Sequence, residues 1–319
     1  MSTVVPAHAQ PPQTALGALL KDYLILTKPR ITLMVLLTAL GGWWAALREW
    51  GDPLTLVAML AGTTLTAAGA SALNMVLERV TDGLMQRTRR RPLPAGRMQL
   101  GEARLFGWAI SALGMLTLLL FCGWLAAAVA LVTWASYLYL YTPMKLRSPL
   151  STVVGAVPGA LPPLIGWAAA RAQLDWLGWA LFAIIFLWQL PHFLAIAVIY
   201  REDYARGGFP MLPVIDGTGG EAPGAGRATT LQMIGTSFAL LPVSLLPWIE
   251  RAAGPAYFAG ALFAGLAMIA AALAYARRPG LPAARRLFYI SLLYLPVVFI
   301  LLMMDGRTPP PVLQILELH

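Results

Sequence analysis

Apolar residues fall in long runs along this chain, and nine of the runs are long enough to cross a bilayer. They lie at roughly 31–47, 54–77, 105–122, 124–142, 151–170, 176–200, 229–248, 255–276 and 286–304. A helix rises about 1.5 Å per residue, so about 20 apolar residues span a hydrocarbon core of about 30 Å. The pattern predicts an all-α, polytopic membrane protein with nine transmembrane helices. Only Gly123 separates the third and fourth runs, which makes them antiparallel neighbours. The fifth run carries Gly155, Pro158, Gly159, Pro162, Pro163 and Gly166 and reads as a broken, closely packed helix. In the sixth, Pro191 predicts a kink that frees backbone carbonyls near His192.

The polar segments between the runs are unequal. Those at 48–53, 171–174 and 250–255 are short, whereas 78–104 and 201–228 are long and follow the second and sixth runs. That spacing is consistent with two related halves, each with a long active loop. The composition, 59% hydrophobic and 12% charged with mean hydropathy +0.69, excludes a soluble domain of this length. The net charge of +9 is explained by its distribution rather than by nucleic-acid binding. With the N-terminus inside, only Arg48, Arg171, Arg251 and Arg307 of the 23 Lys and Arg residues fall outside. The lone Cys122, within an apolar run, excludes an internal disulfide and a cysteine metal site and reads as packing. Residues 1–20 contain no Lys or Arg and match neither a secretory signal nor a transit peptide. They are expected to be a disordered cytoplasmic tail, with one intramembrane domain over 21–305 and a short outside tail over 306–319.

Ionisable groups near membrane depth are costly and are functional candidates. Asn74, Glu78 and Asp82 end the second run at spacing i, i+4, i+8. On one helix they form a strip, with roughly 6 Å of rise between neighbours. Oxygen ligands of this kind suit Mg²⁺, which typically bridges one or two carboxylates to substrate phosphates. Arg87 and Arg91 follow directly and could hold the remaining phosphate oxygens, while Arg89 and Arg90 read as topological charge. Lys145, in the turn before the fifth run, is a further candidate for the same anion. Glu202 and Asp203 are adjacent, so a helix would aim them about 100° apart. Asp203 is the one assigned to the site. Gly207 and Gly208 allow a sharp turn beyond it, and 216–226 reads as a flexible connection. His192 is the only histidine away from the tails. Lys28 and Arg30 read as surface anchors of the first helix.

Together these residues resemble the intramembrane prenyltransferase superfamily of UbiA type, and within it the protohaem IX farnesyltransferase (haem O synthase) branch. The resemblance covers about residues 20–305. It rests on Leu26, Thr27, Lys28, Pro29 and Arg30; on Asn74, Glu78 and Asp82 with Met85, Arg87, Thr88, Arg91, Pro92 and Leu93; and on Tyr141, Thr142, Pro143 and Lys145. It continues through the stretch from Gly155 to Trp167, then Trp188, Gln189, Pro191, His192 and Phe193, then Asp203, Tyr204, Gly208, Pro210, Met211 and Leu212. It implies nine helices around a central cavity and farnesyl transfer from farnesyl diphosphate to a vinyl group of haem B. It also implies catalytic and Mg²⁺-holding roles for Asn74, Glu78, Asp82 and Asp203, diphosphate contacts from Arg87, Arg91 and Lys145, and haem contact by His192. The implied location is a bacterial inner membrane with the site facing the cytoplasm. The implied partners are a haem A synthase or a terminal oxidase. The second acidic motif is reduced to Asp203 with Glu202 beside it, and the first has Glu78 where many members have Asp. Three rival readings remain: a prenyltransferase acting on a quinone precursor or chlorophyllide, an ion-coupled transporter, and a non-catalytic haem-binding or assembly factor.

Overall fold

The computed structural model describes residues 15–216 and 226–307, and among these every extended element is helical. Nine segments of the described residues are long and apolar enough to cross a membrane. After a leading helix α1 (Ala15–Leu26), the first three spans are α2 (Pro29–Leu47), α3 (Pro53–Leu77) and, beyond a short α4 (Arg79–Leu84), α5 (Leu100–Cys122). The fourth, Trp124–Met144, joins α6 (Trp124–Ala135) through a π-helical turn (Ser136–Tyr141) to α7 (Thr142–Met144). The fifth, Ser151–Arg171, is α8 (Ser151–Ala160) followed by α9 (Pro162–Arg171), broken at Leu161 as its prolines require. The sixth is α10 (Trp176–Ile199), followed by the short α11 (Arg201–Arg206) and α12 (Leu212–Ile215). The last three spans are α13 (Arg227–Ile249), α14 (Pro255–Arg277) and α15 (Leu281–Asp305).

Two spans begin earlier than hydropathy alone implies. The third starts at Leu100, because Gln99 and Glu102 form a capping box that satisfies the first amides. The ninth starts at Leu281, with Pro282 in its first turn, and carries Arg285 and Arg286 on the helix itself. Residues 15–20, expected as part of a disordered tail, lie in α1. That helix is tied down by Leu26 in the core, by Tyr23 edge-on to Phe106 at 4.9 Å, and by an Asp22–Arg97 ion pair at 2.8 Å. The rest of the expected tails, 1–14 and 308–319, and most of the expected flexible connection (217–225) lie outside the described residues.

Lipid tails supply no hydrophobic drive between helices, so close backbone approach must hold the bundle together. Along α3 and α5 this is visible at Gly69, where an added Cβ would meet Ser111 Oγ, the Gly107 carbonyl at 2.7 Å and the Ser111 amide at 2.8 Å. Cys122 is buried at the outer end of the same pair, its Sγ 3.6 Å from the Thr55 carbonyl. At the outer face Arg48, at φ 63°, caps α2 and donates to the carbonyls of Leu302 (2.6 Å), Ala252 (3.3 Å) and Arg307 (3.2 Å). Burial pulls its pKa down to about 10. This residue joins the first and ninth spans. The inside end is held differently, by the polar side chains described next.

A test of the close approach compares two glycines. Gly69→Ala is expected to destabilise the detergent-purified protein by about 1–3 kcal/mol, through overpacking. Gly235→Ala in α13, where an added Cβ meets nothing within 4 Å, is expected to be neutral or stabilising by about 0.5–1 kcal/mol. Thermal unfolding followed by size-exclusion chromatography measures both.

Candidate active site

The inside end of α3 carries the acidic strip, but not on one unbroken helix. The helix stops at Leu77, Glu78 sits at φ −91° and ψ 7°, and α4 restarts at Arg79. The bonds Glu78 N to Asn74 O (2.9 Å) and Asp82 N to Glu78 O (2.8 Å) keep the i, i+4 register across the break. Asn74 and Asp82 are each 1% exposed and Glu78 8%, so all three face inward rather than ending in water.

Each member of the strip meets a cation from a different element. Lys28 Nζ donates to Asn74 Oδ1 at 2.6 Å. Lys145 Nζ donates to Glu78 Oε1 at 2.7 Å, and Arg91 Nη1 to Asp82 Oδ2 at 2.7 Å. Burial alone would raise the pKa of Glu78, but Lys145 and Lys28 beside it hold the carboxyl below its ordinary value. Burial opposes charge on Lys145 as well, yet Tyr141 and Glu78 leave its pKa raised. Lys28 lies further from a full charge partner, and burial takes it down to about 8 despite Glu78. It has left-handed backbone (φ 47°), forced between the end of α1 and Pro29 at the start of α2, and this conformation turns the chain at the site.

The π-helical turn in the fourth span supplies the other wall. Thr142 Oγ1 donates to the Tyr137 carbonyl at 2.8 Å and accepts from Asn74 Nδ2 at 2.9 Å. The Asn74 amide is thereby oriented with its oxygen toward Lys28. The same turn stacks Tyr137 on Tyr141, 5.6 Å between centroids. Lys145 lies over Tyr141 at 5.4 Å and over Phe209 at 4.9 Å.

Asp203, from the second long inside segment, clasps the first. Its Oδ1 accepts from the Gln86 amide (2.9 Å) and Arg206 (2.7 Å), and its Oδ2 from the Arg87 amide (3.3 Å). Partial burial opposes its charge, but Arg206 and the two amides hold its pKa below the ordinary value. Glu202 points away, its side chain 90% exposed. Arg87 rests on the rings of Tyr200 and Tyr204 at 5.4 and 5.8 Å. Beneath, Phe209 (1% exposed) packs with Met85, Ala197 and Met211. The two long inside segments therefore form one lid over the strip, with Asp203 as its rivet.

The arrangement brings together Asn74, Glu78, Asp82, Arg91 and Lys145, and joins Asp203 and Arg87 to them through the lid. His192 lies apart, on α10 against α15, with Nδ1 2.7 Å from Ser291 Oγ. Trp167 is fully buried in the core of the bundle, whereas Trp188 is half-buried beside His192. Lys28 and Thr142 are the site residues that sequence reasoning missed. Lys28 immediately precedes the helix-starting Pro29, a position read as an anchor, and its 46-residue reach to Asn74 leaves no local trace.

Among the described residues no three His, Cys, Asp or Glu side chains gather closely enough to cage an ion. One buried carboxylate oxygen, Asp82 Oδ1, has no hydrogen-bond partner. A group holding one or two carboxylates and borrowing the rest from substrate phosphate is the usual Mg²⁺ arrangement. A diphosphate would also take over Lys28, Lys145 and Arg91, releasing Asn74 Oδ1 and Glu78 Oε1 toward the ion. The residues present fit Mg²⁺ on those terms.

The Lys145–Glu78 pair, with side chains 13% and 9% exposed, yields a double-mutant test. Lys145→Met should cost about 3 kcal/mol of stability by stranding a buried carboxylate. Adding Glu78→Gln should restore part of that loss. Denaturation of the single and double variants measures the coupling.

The model of the UbiA prenyltransferase family matches residues 35–293. A protein named protoheme IX farnesyltransferase from Solibacter usitatus is 44% identical over 295 residues, covering 90% of this chain and 99% of its own. A protein of the same name from Myxococcus xanthus is 42% identical over 296 residues, with 92% and 97% covered. Among solved structures, a digeranylgeranylglyceryl phosphate synthase superposes with TM-score 0.76 at 17% identity, over 90% of this chain and 98% of that one. A UbiA homolog from Archaeoglobus fulgidus bound to GPP and Mg²⁺ gives TM-score 0.59 at 18% identity, over 88% and 99%. At such identities these structures speak for the fold alone. The nine-span bundle, the extent of the family match and relatives above 40% identity along nearly their whole length agree: the chain belongs to the UbiA prenyltransferase family.

Proposed function

We propose that this protein transfers the farnesyl group of farnesyl diphosphate to a vinyl group of haem B, giving haem O. The observation that carries the reading is the cation-capped strip at the inside mouth of the bundle, in a chain that matches protoheme IX farnesyltransferases almost end to end. The inside mouth takes the charged diphosphate while the apolar spans dissolve the isoprenoid and the porphyrin. Charged side chains gather at that mouth rather than at mid-membrane in several helices, which favours an enzyme over an ion-coupled transporter.

Lys28, Lys145 and Arg91 bind the diphosphate oxygens, and Arg87 adds a contact as it leaves the rings of Tyr200 and Tyr204. Asn74, Glu78 and Asp82 would hold Mg²⁺, and Asp203 could join them by releasing the amides of Gln86 and Arg87. When bound, the ion neutralises charge that grows on the leaving diphosphate. The cations act in the same direction in a water-poor site, where fixed charges are strong. The C–O bond to the diphosphate breaks with its electron pair going to the leaving group. The allylic cation is attacked by the haem vinyl group, and water then supplies the hydroxyl and loses a proton. The two long inside segments, packed together through Met85, Phe209 and Met211, keep other water from the cation until the acceptor has reacted. Tyr137 and Tyr141 line the near wall.

The protein is integral to the membrane. Its charge distribution supports a site facing the cytoplasm, and the bacterial sources of its relatives support an inner-membrane location. Haem O is a product that a haem A synthase or a terminal oxidase would receive, and these are the partners proposed.

The test is to extract haems from membranes supplied with haem B and farnesyl diphosphate, and to analyse them by mass. The expected product is heavier than haem B by a farnesyl group plus a hydroxyl. Asp82→Asn should lower its rate of formation by about 100-fold or more, the usual scale for losing one charge-stabilising group. Unmodified haem B alongside a prenylated quinone precursor or chlorophyllide would reassign the acceptor.

A further inference from the structure

His192 is 8% exposed, lies in the membrane-spanning α10 and carries two ring nitrogens that each demand a partner. Only one has a partner among the described residues: Nδ1 is 2.7 Å from Ser291 Oγ on α15. The direction of this bond can be deduced. Ser291 Oγ is also 2.6 Å from the Phe288 carbonyl. Two oxygens at that separation need a proton between them, and a serine hydroxyl has only one. Ser291 therefore donates to Phe288, and toward His192 it can only accept. The proton of that contact belongs to Nδ1.

It follows that the neutral ring is the Nδ1–H tautomer, with a lone pair on Nε2. An unpaired acceptor in an apolar setting is unfavourable, whereas a neutral imidazole with its other nitrogen fixed by a hydrogen bond is the standard form of a metal-ligating histidine. The ring is also held in orientation. Trp188 stacks on it at 5.0 Å and 22°, and Phe288 at 5.1 Å and 27°. Trp188 is itself anchored, its Nε1 donating to the Ser291 carbonyl at 2.7 Å. One residue on α15 thus fixes both the tautomer of His192 and the indole that packs on it.

Resting on the haem-farnesylating reading above, we infer that His192 Nε2 is an axial ligand of the acceptor haem iron, and that Ser291 is the positioning residue that keeps this nitrogen unprotonated. His192 lies seven residues before the inside end of α10 at Ile199, a rise of about 10 Å. Asn74 is only three residues from the end of α3. The iron is then held deeper than the diphosphate, with the porphyrin inside the apolar region.

The experiment uses the purified full-length protein titrated with ferric haem B, read by absorption and electron paramagnetic resonance, with haem O formation assayed on the same samples. The wild type should show a nitrogen-ligated iron signature. His192→Ala should lose it, and added imidazole should restore it. Ser291→Ala should weaken haem binding by about 10- to 100-fold, the usual scale for removing a ligand's hydrogen-bond partner. Ser291→Thr, which keeps the hydroxyl, should recover wild-type spectra and so separate positioning from folding. Identical iron spectra in the wild type and His192→Ala, with haem O still formed by the wild type, would overturn axial ligation and leave the farnesyl-transfer reading standing. A His192-dependent spectrum without haem O formation would support ligation and overturn the reaction.

Discussion

A carboxylate buried where a transmembrane helix meets the interface is unfavourable unless a cation meets it, and the inside half of this protein is organised around that constraint. Glu78 and Asp82 are lost to water, so Lys145 and Arg91 must come to them. Lys145 can do so because a π-helical turn near the end of the fourth span brings Thr142 against Asn74. Arg91 can do so because the turns after α4, from Met85 onward, bring the chain back to Asp82, and Asp203 holds their start from the far half. Lys28 completes the ring at the cost of left-handed backbone. In this account the site is a set of ion pairs waiting to exchange partners with a substrate of opposite character.

In the proposed reading, the exchange would couple the two ligands. A diphosphate would offer oxygens to the three cations, and the acids they leave behind would be stranded in an apolar setting. A divalent ion would relieve that. Neither ligand alone would satisfy the ring, whereas both together would. The lid lies over this exchange, with Phe209 and Met85 as its apolar floor and Asp203 as its fastening to the first long segment. The outer face, by contrast, has Arg48 spent on three backbone carbonyls, and it reads as a plug joining first and last spans.

Much of this was legible in the sequence. Nine spans followed from apolar runs whose length no soluble helix needs, and the distribution of Lys and Arg is what supports the proposed orientation. The strip was legible because i, i+4 spacing is local. What was not legible depends on partners distant in the chain or on local caps. Lys145 finds Glu78 across 67 residues, and Asp203 finds Gln86 across 117. The early start of α5 was hidden because its capping box is polar. Residues 15–20 read as tail because their fixation comes later, through Tyr23, Leu26 and the Asp22–Arg97 pair. Lys28 read as an anchor because nothing near it in sequence marks a reach to Asn74. Ser291, which sets the tautomer of His192 across 99 residues, had no sequence mark at all.

The most direct test of the central claim is the affinity of the wild-type protein for a non-ionising thio analogue of farnesyl diphosphate, measured by calorimetry with Mg²⁺ and again with a chelator. Partner exchange predicts that the ion and the analogue strengthen each other's binding by at least about tenfold, within the usual range of coupling between two ligands. Equal affinity in the two conditions would mean that the cations alone hold the diphosphate and that the acidic strip serves only to hold the cations.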